Sequence, residues 1–154
     1  MNYFHGTTDF YVNRETSVTL GKFDGIHLGH RKLIHKVLEQ KKDGLAGVVF
    51  TLNVKKDPQI LTKEEKIYKL EELGIDLLID CPFVPEISEM SPRSFVEEIL
   101  VNRLHVRHIA VGTDFRFGHN REGDAGYLKS LEQVHGFRVD ILQKEQYQGR
   151  DINS

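Results

Sequence analysis

Eight residues of mostly apolar character, Leu45-Ala46-Gly47-Val48-Val49-Phe50-Thr51-Leu52, constrain the fold more than any other stretch. The run is far too short for a bilayer, which needs about 20 residues. A strand with one wet face alternates polar and apolar residues, so an uninterrupted run suits a strand buried on both faces. Such strands belong to parallel sheets covered by helices on both sides. The rest of the chain keeps to that scheme. Short strands are predicted at Ser17–Lys22, Ile75–Asp80, Val106–Val111 and Phe137–Leu142. Between them lie helices. The first runs from Leu28 to Lys42, with Leu28, Ile34 or Leu33, Val37 and Leu38 on one face. The second is opened by the capping box Thr62-Lys63-Glu64-Glu65 and stops at Gly74. A third begins at Ser91-Pro92, carries Phe95, Ile99 and Leu100, and ends near Leu104. The last spans about Gly126 to His135. Strands alternating with helices imply right-handed βαβ units and a Rossmann-like three-layer α/β/α sandwich with a mostly parallel sheet. Ligands of such sheets bind outside the C-terminal ends of the strands. That directs attention to the loops Phe23–His27, Asn53–Leu61, Cys81–Met90 and Thr113–Ala125.

With 154 residues the chain fits a single domain, residues 1–154. Lys and Arg total 21 against 23 Asp and Glu, a net charge of −2. That balance argues against a partner that is nucleic acid or an anionic membrane, since both demand a basic surface. The N-terminus, Met1 to Gly6, has neither a basic nor an apolar leader segment. One cysteine, Cys81, suits a reducing compartment. The expectation is a soluble cytoplasmic protein of unknown oligomeric state.

Chemistry concentrates in Gly21-Lys22-Phe23-Asp24-Gly25-Ile26-His27-Leu28-Gly29-His30, where the first of these strands gives way to a helix. Free N–H groups and the positive end of the helix dipole favour an anion there. Gly25 and Gly29 admit a phosphate close to the backbone, and His27 and His30 lie three residues apart at the helix start. Such donors can stabilise charge on a phosphorus under attack without forming a covalent intermediate. A zinc site fits less well. The pair is spaced i, i+3, H-E-x-x-H is absent, and no cysteine cluster exists.

Other candidates carry two readings. Asp114, just after Gly112, is either ligand-facing or an Asx-turn residue. Phe115 and Phe117 either line a pocket for an aromatic base or belong to the core. Arg116 and Arg121 either contact phosphate or base, or are plain surface arginines. His105 and His108 are expected to be solvated at a helix-to-strand turn, and His35 to lie on the surface. Lys41-Lys42 suits the end of a helix. Lys63-Glu64-Glu65-Lys66 reads as a solvated helix face.

Residues 21–30 resemble the G-x-F-D-G-x-H-x-G-H signature of the nucleotidyltransferase superfamily that shares H-x-G-H with class I aminoacyl-tRNA synthetases. Val111-Gly112-Thr113-Asp114-Phe115-Arg116-Phe117-Gly118-His119-Asn120-Arg121-Glu122-Gly123 narrows the resemblance. It is similar to the V-G-x-D-F-R-F-G-x-x-R-x-G segment of the FMN adenylyltransferase (FAD synthetase) module of prokaryotic bifunctional riboflavin kinase/FAD synthetases. Weaker matches are Val49-Phe50-Thr51, Glu65-Lys66, Gly74-Ile75-Asp76 and Ser91-Pro92 with Phe95-Val96. The resemblance implies transfer of AMP from ATP to FMN, with Mg²⁺ as cofactor and ATP and FMN as substrates. It implies catalytic roles for His27 and His30. It implies ATP binding by Gly21, Phe23, Asp24, Gly25, Gly29, Gly112, Asp114, Phe115, Arg116 and Gly118, and no protein metal ligands.

Two departures stand out. The family continues the second matched strand as T-F-x-P-H-P, a loop near the flavin. Here it reads Thr51-Leu52-Asn53-Val54-Lys55-Lys56-Asp57-Pro58. Asn53, Lys55 and Lys56 then stand as the FMN-binding candidates, against a plain solvated loop. The family's later I-S-S-T-x-I-R motif is met only at its start, Ile152-Asn153-Ser154, and no riboflavin kinase domain follows. Two alternatives remain open: a nucleotidyltransferase for another phosphorylated acceptor, and a nucleotide- or flavin-binding domain without turnover.

Overall fold

In a computed structural model of the chain, the backbone is described for residues 2–5, 7–21, 28–53, 63–143, 146–147 and 150–151, and side chains for 2–5, 7–21, 31–52 and 64–143. The elements in chain order are β1 (Asn2–His5), β2 (Thr16–Gly21), α1 (Leu28–Glu39), a 3-10 turn (Gln40–Asp43), β3 (Ala46–Asn53), α2 (Lys63–Leu73) and β4 (Leu77–Pro82). Then come α3 (Pro85–Ser88), α4 (Pro92–Ser94) running into a wider π-type segment (Phe95–Val101), and β5 (Val106–Gly112). The remainder is β6 (Arg116–Phe117), β7 (Gly123–Asp124), α5 (Ala125–Ser130), α6 (Glu132–His135), β8 (Arg138–Leu142), β9 (Gln146–Tyr147) and β10 (Arg150–Asp151).

Six strands form one sheet in the order β1-β4-β3-β2-β5-β8, and every neighbouring pair is parallel. The apolar run forms β3, between β2 and β4. Its residues alternate between two cores, as the pleat requires. Val48 and Phe50 join Phe95, Ile99, Leu100 and Leu128 on one face. Val49 joins Ile34, Val37, Leu70 and Leu78 on the other. So α1 and α2 cover one side of the sheet. The helices after β4 and β5 cover the other. The chain steps from β2 to β3 to β4 in one direction, then returns past β2 to β5 and β8. Right-handed crossovers taken in opposite directions must place their helices on opposite faces. The expected three-layer sandwich is therefore present.

Several local expectations change. Asn2–His5 adds an edge strand, pairing with β4 from Asn2↔Leu77 to His5↔Asp80. The long helix expected after Ser91 starts as expected, with Ser91 Oγ accepting from Ser94 N–H. It then widens, and Asn102 N–H reaches back to Glu97 O and Leu104 N–H to Ile99 O. The widening keeps Phe95, Val96, Ile99 and Leu100 all buried. The helix expected at 126–135 breaks at Leu131 into α5 and α6. The loop 113–125 contains the β6–β7 hairpin, and the loop after β4 contains α3. The box residue Thr62 lies outside the described residues.

Two side-chain expectations are overturned. Lys66, expected on a solvated face, is only 5% exposed, because it shares α2's inward face with Leu70. His108 was read as solvated and is fully buried. A register irregularity between β2 and β5 pairs Thr16 with Val106 but Ser17 with His108, so Arg107 is skipped and His108 turns inward under α1. There His108 Nδ1 lies 2.7 Å from Ser17 Oγ and Nε2 lies 2.7 Å from Asp140 Oδ2. A carboxylate can only accept, so Nε2 donates to Asp140, and with the imidazole kept neutral by burial the Ser17 hydroxyl donates to Nδ1. That is a neutral imidazole. Burial holds its pKa below the ordinary value, although the Asp140 carboxylate pulls the other way. His105 is also held, with Nδ1 at 2.8 Å from Val12 O.

The Ser17–His108–Asp140 chain has the connectivity of a nucleophilic triad. It sits at the start of β2 with Ser17 and His108 wholly buried, so it is a staple between strands. It carries a pH signature. The unfolded chain protonates His108 near the ordinary value of about 6.5, whereas the folded chain resists the proton. The staple therefore contributes fully above about pH 6.5, and its contribution falls as pH drops toward the depressed native value, by up to about 1.4 kcal/mol per unit. Denaturant unfolding at pH 7.5 and 5.5 is expected to show this loss, and His108→Asn is expected to reduce the slope.

Candidate functional site at the C-terminal edge of the sheet

Where the chain reverses direction, between β2 and β5, the sheet has its topological switch point, the place where ligands of open α/β sheets bind. The register Thr19↔Ala110 carries forward so that Gly21 and Gly112, each two residues on, end the two strands side by side. Two glycines there add no side chain of their own to the crevice mouth. On one side α1 opens at Leu28, so the backbone of Gly29 and His30 lies in its first turn. The N-terminus of a twelve-residue helix thus sits behind β2 at the crevice. The motif's spacing predicted this placement. Phe23, Asp24, Gly25 and His27 lie outside the described residues, as do Lys55 and Lys56, while Gly29, His30 and Asn53 are described in backbone alone.

On the other side the chain after β5 turns sharply. Phe115 N–H bonds Gly112 O at 3.1 Å, and Thr113 N–H bonds Leu142 O at 3.0 Å. The turn folds Asp114 back over the glycine, near enough that a Cβ on Gly112 would stand 3.0 Å from Asp114 Oδ1. Asp114 is exposed at the crevice mouth. The β6–β7 hairpin follows. Phe117 is buried and packs against Phe95 at 5.6 Å between ring centroids, so it belongs to the core. Phe115 is half-buried and stacks on it at 5.5 Å, which leaves Phe115 as the ring with a face toward the edge. Arg116 is exposed beside them, and Arg121 sits at the hairpin tip, also exposed. Gly118 holds φ +81°, and a Cβ there would lie 2.8 Å from Pro92 Cγ. His119 N–H bonds Met90 O at 2.7 Å. The hairpin is thereby clamped to the segment after β4.

A polar cluster that the sequence reading missed lies along the same edge, beyond β3. Asp80, next to last but one in β4, is buried and lies 2.9 Å from His5 Nδ1, and Tyr3 donates to it at 3.5 Å. Burial and that carboxylate together raise the Tyr3 pKa. An aspartate inside Leu77-Leu78-Ile79-Asp80-Cys81 was the available signal. Cys81 points to the opposite core. Burial, then the Asp80 charge, pushes its thiol up to about 12, so it is no nucleophile at neutral pH. Among the described residues no group of three His, Cys, Asp or Glu side chains could hold a metal. No described helix is long and apolar enough to cross a membrane.

Comparison with known proteins accords with this geometry. A bifunctional riboflavin kinase/FMN adenylyltransferase of Listeria monocytogenes is 33% identical over 159 residues, covering 96% of this chain and 50% of its own length. One of Escherichia coli K12 is 34% identical over 136 residues, 82% of this chain and 44% of its own length. One of Buchnera aphidicola from Schizaphis graminum is 33% identical over 138 residues, 83% and 44% respectively. The chain thus spans about half the length of the curated relatives it matches. A solved structure described as a macrolide-efflux protein from Streptococcus pneumoniae superposes with a TM-score of 0.83 at 25% identity, over 99% of this chain and 54% of that one. The FAD synthetase family matches residues 10–154, from before β2 through the crevice and both glycine-bearing strand ends, and the chain belongs to that family.

Proposed function

We propose that the chain is an FMN adenylyltransferase, joining AMP from ATP to FMN to give FAD and pyrophosphate. The observation that carries the reading is the crevice between β2 and β5, mouthed by Gly21 and Gly112 and flanked by the first turn of α1. In it an oxygen of the FMN phosphate attacks the α-phosphorus of ATP. The bond from that phosphorus to the β-phosphate oxygen breaks, and pyrophosphate leaves with the electron pair. No residue need bond to phosphorus. His27 and His30 donate to the transferring and leaving phosphates beside the free N–H groups at the start of α1. Gly21, Phe23, Asp24, Gly25 and Gly29 shape that cradle. Gly112, Asp114, Phe115, Arg116 and Gly118 form the opposite wall, where the half-buried Phe115 ring offers a face to the adenine. Mg²⁺ would neutralise triphosphate charge when bound, and it usually keeps substrate phosphates and waters as ligands, which suits an edge where no group of three described His, Cys, Asp or Glu side chains could hold a metal. Asn53 ends β3, and Lys55 and Lys56 come next in sequence, on the acceptor's side. We read residues 1–154 as one nucleotidyltransferase domain acting in the cytoplasm on small molecules.

Incubating the chain with ATP, FMN and Mg²⁺ is expected to yield FAD and pyrophosphate in equal amounts. A folded chain that yields neither overturns the reading. The replacement of T-F-x-P-H-P by Thr51 to Pro58 favours a second reading, a different phosphorylated acceptor. Pyrophosphate release across a panel of acceptors separates the two. ATP binding with no turnover on any acceptor would mark a binding domain.

A further inference from the structure

The mechanism leaves one buried cation on this edge unused. Lys66 is 5% exposed and sits one turn before Leu70 on the inward face of α2. Leu70 packs in the core that holds Val49 of β3 and Leu78 of β4. As the crossover between these parallel strands, α2 runs back along them, so its start lies at their C-terminal ends. One turn toward that start is about 6 Å, close to the rise of about 6.6 Å for two strand residues. The step leads from Val49 to Thr51 and from Leu78 to Asp80, both buried and polar. Side chains of a helix lean toward its N-terminus, so the Lys66 stem carries its ammonium further toward the ligand edge.

Among the described residues no carboxylate forms an ion pair with Lys66. Asp80 is engaged by His5 and Tyr3. Among the described residues, Thr19 Oγ1 is the sole fully enclosed side-chain polar atom without a partner. The ammonium is therefore not fully enclosed, and the lean of helical side chains toward the start of α2 aims it at the ligand edge. A cation whose stem is held in this way, with no ion pair among the described residues, suits an anion that arrives with a ligand. The nucleotide's cradle lies at β2 and β5, and Lys66 flanks it beyond β2, over β3 and β4, on the side from which the acceptor's phosphate enters the crevice.

We propose that Lys66 binds the phosphate monoester of the acceptor and so selects a phosphorylated acceptor over its unphosphorylated counterpart. The assignment rests on the adenylyltransferase reading and adds a residue to it. Lys66→Met keeps an unbranched apolar stem and removes the charge. Binding of FMN and of riboflavin to the whole chain, followed by flavin fluorescence, tests the role. FMN affinity is expected to fall about tenfold or more in K66M, as expected for loss of a charge-assisted hydrogen bond, with riboflavin affinity unchanged. Lys66→Arg is expected to retain most of the FMN preference, and the thermal midpoint of K66M to stay near that of the parent. Unchanged FMN affinity in K66M overturns the assignment. So does an equal fall for both flavins, or a fall in ATP affinity in place of FMN affinity. Should K66M not fold, K66Q and K66R decide on the same FMN-to-riboflavin ratio. If the parent chain binds neither flavin, the acceptor reading falls together with this one. If the parent binds FMN and K66M binds it equally well, the role of Lys66 falls alone.

Discussion

Alanine in place of His27 or His30 is expected to slow FAD formation by about 10²–10³-fold, the usual cost of removing a donor aimed at a developing phosphate or oxyanion charge. The expectation follows from where the pair sits. In sequence the pair brackets the start of α1 at Leu28, directly behind β2, where the helix N-terminus already favours an anion. An imidazole there adds a donor to a site whose backbone donors are fixed before the reaction begins. Its contribution grows as charge gathers on the leaving oxygen, so the loss should fall on kcat more than on KM for ATP. The two histidines serve one charge, so the double variant is expected to lose less than the product of the single losses. Steady-state FAD formation at saturating ATP and FMN measures both effects. If either alanine variant turns over at the parent's rate, that histidine has no part in the chemistry.

How far the sequence reveals this molecule depends on whether a feature is local. Strand β3 is legible because burial on both faces leaves Thr51 as the single polar residue between Ala46 and Leu52. β1 escapes notice because an edge strand of four residues, Asn-Tyr-Phe-His, has one neighbour and exposed ends. The hairpin β6–β7 is hidden for a related reason, since two-residue strands have no period to detect. His108 misleads because its neighbours suggest a turn. The skip at Arg107 that rotates it inward is a property of pairing with β2 and has no signature in β5 alone. Lys66 could have been found. On a helical wheel it falls with Leu70, and only the charged letters around it suggest a wet face. At the site, the glycines of the two motifs are visible as letters. Their juxtaposition as Gly21 beside Gly112 exists only once the strand order puts β5 next to β2.

Gly118→Ala is expected to destabilise the chain by about 2–5 kcal/mol, combining strain in a glycine-only backbone region with forced overpacking. Gly118 sits at φ +81° and ψ 176°, a region that side chains of ordinary handedness rarely enter. Its Cβ would also stand 2.8 Å from Pro92 Cγ and 2.9 Å from Pro92 N. The proline side chain could shift, but its backbone nitrogen is fixed by the start of α4, where Ser91 caps the helix. Relief therefore requires the hairpin to lift from Met90 and Pro92. That movement breaks the 2.7 Å bond from His119 N–H to Met90 O and loosens Phe117 from Phe95. For a domain of this size the thermal midpoint should drop by about 5–15 °C. Pro92→Ala in the same chain removes the Cγ contact and leaves both the strain and the contact with the backbone nitrogen, so it should restore only part of the loss. Since Phe115 and Arg116 ride on the hairpin, the proposed nucleotide wall predicts weaker ATP binding, with little change in the binding of an acceptor proposed to sit over β3 and β4. A Gly118→Ala chain that melts with the parent would show that the hairpin is not clamped through this glycine. Equal weakening for ATP and FMN would show that the hairpin does not serve the nucleotide wall alone.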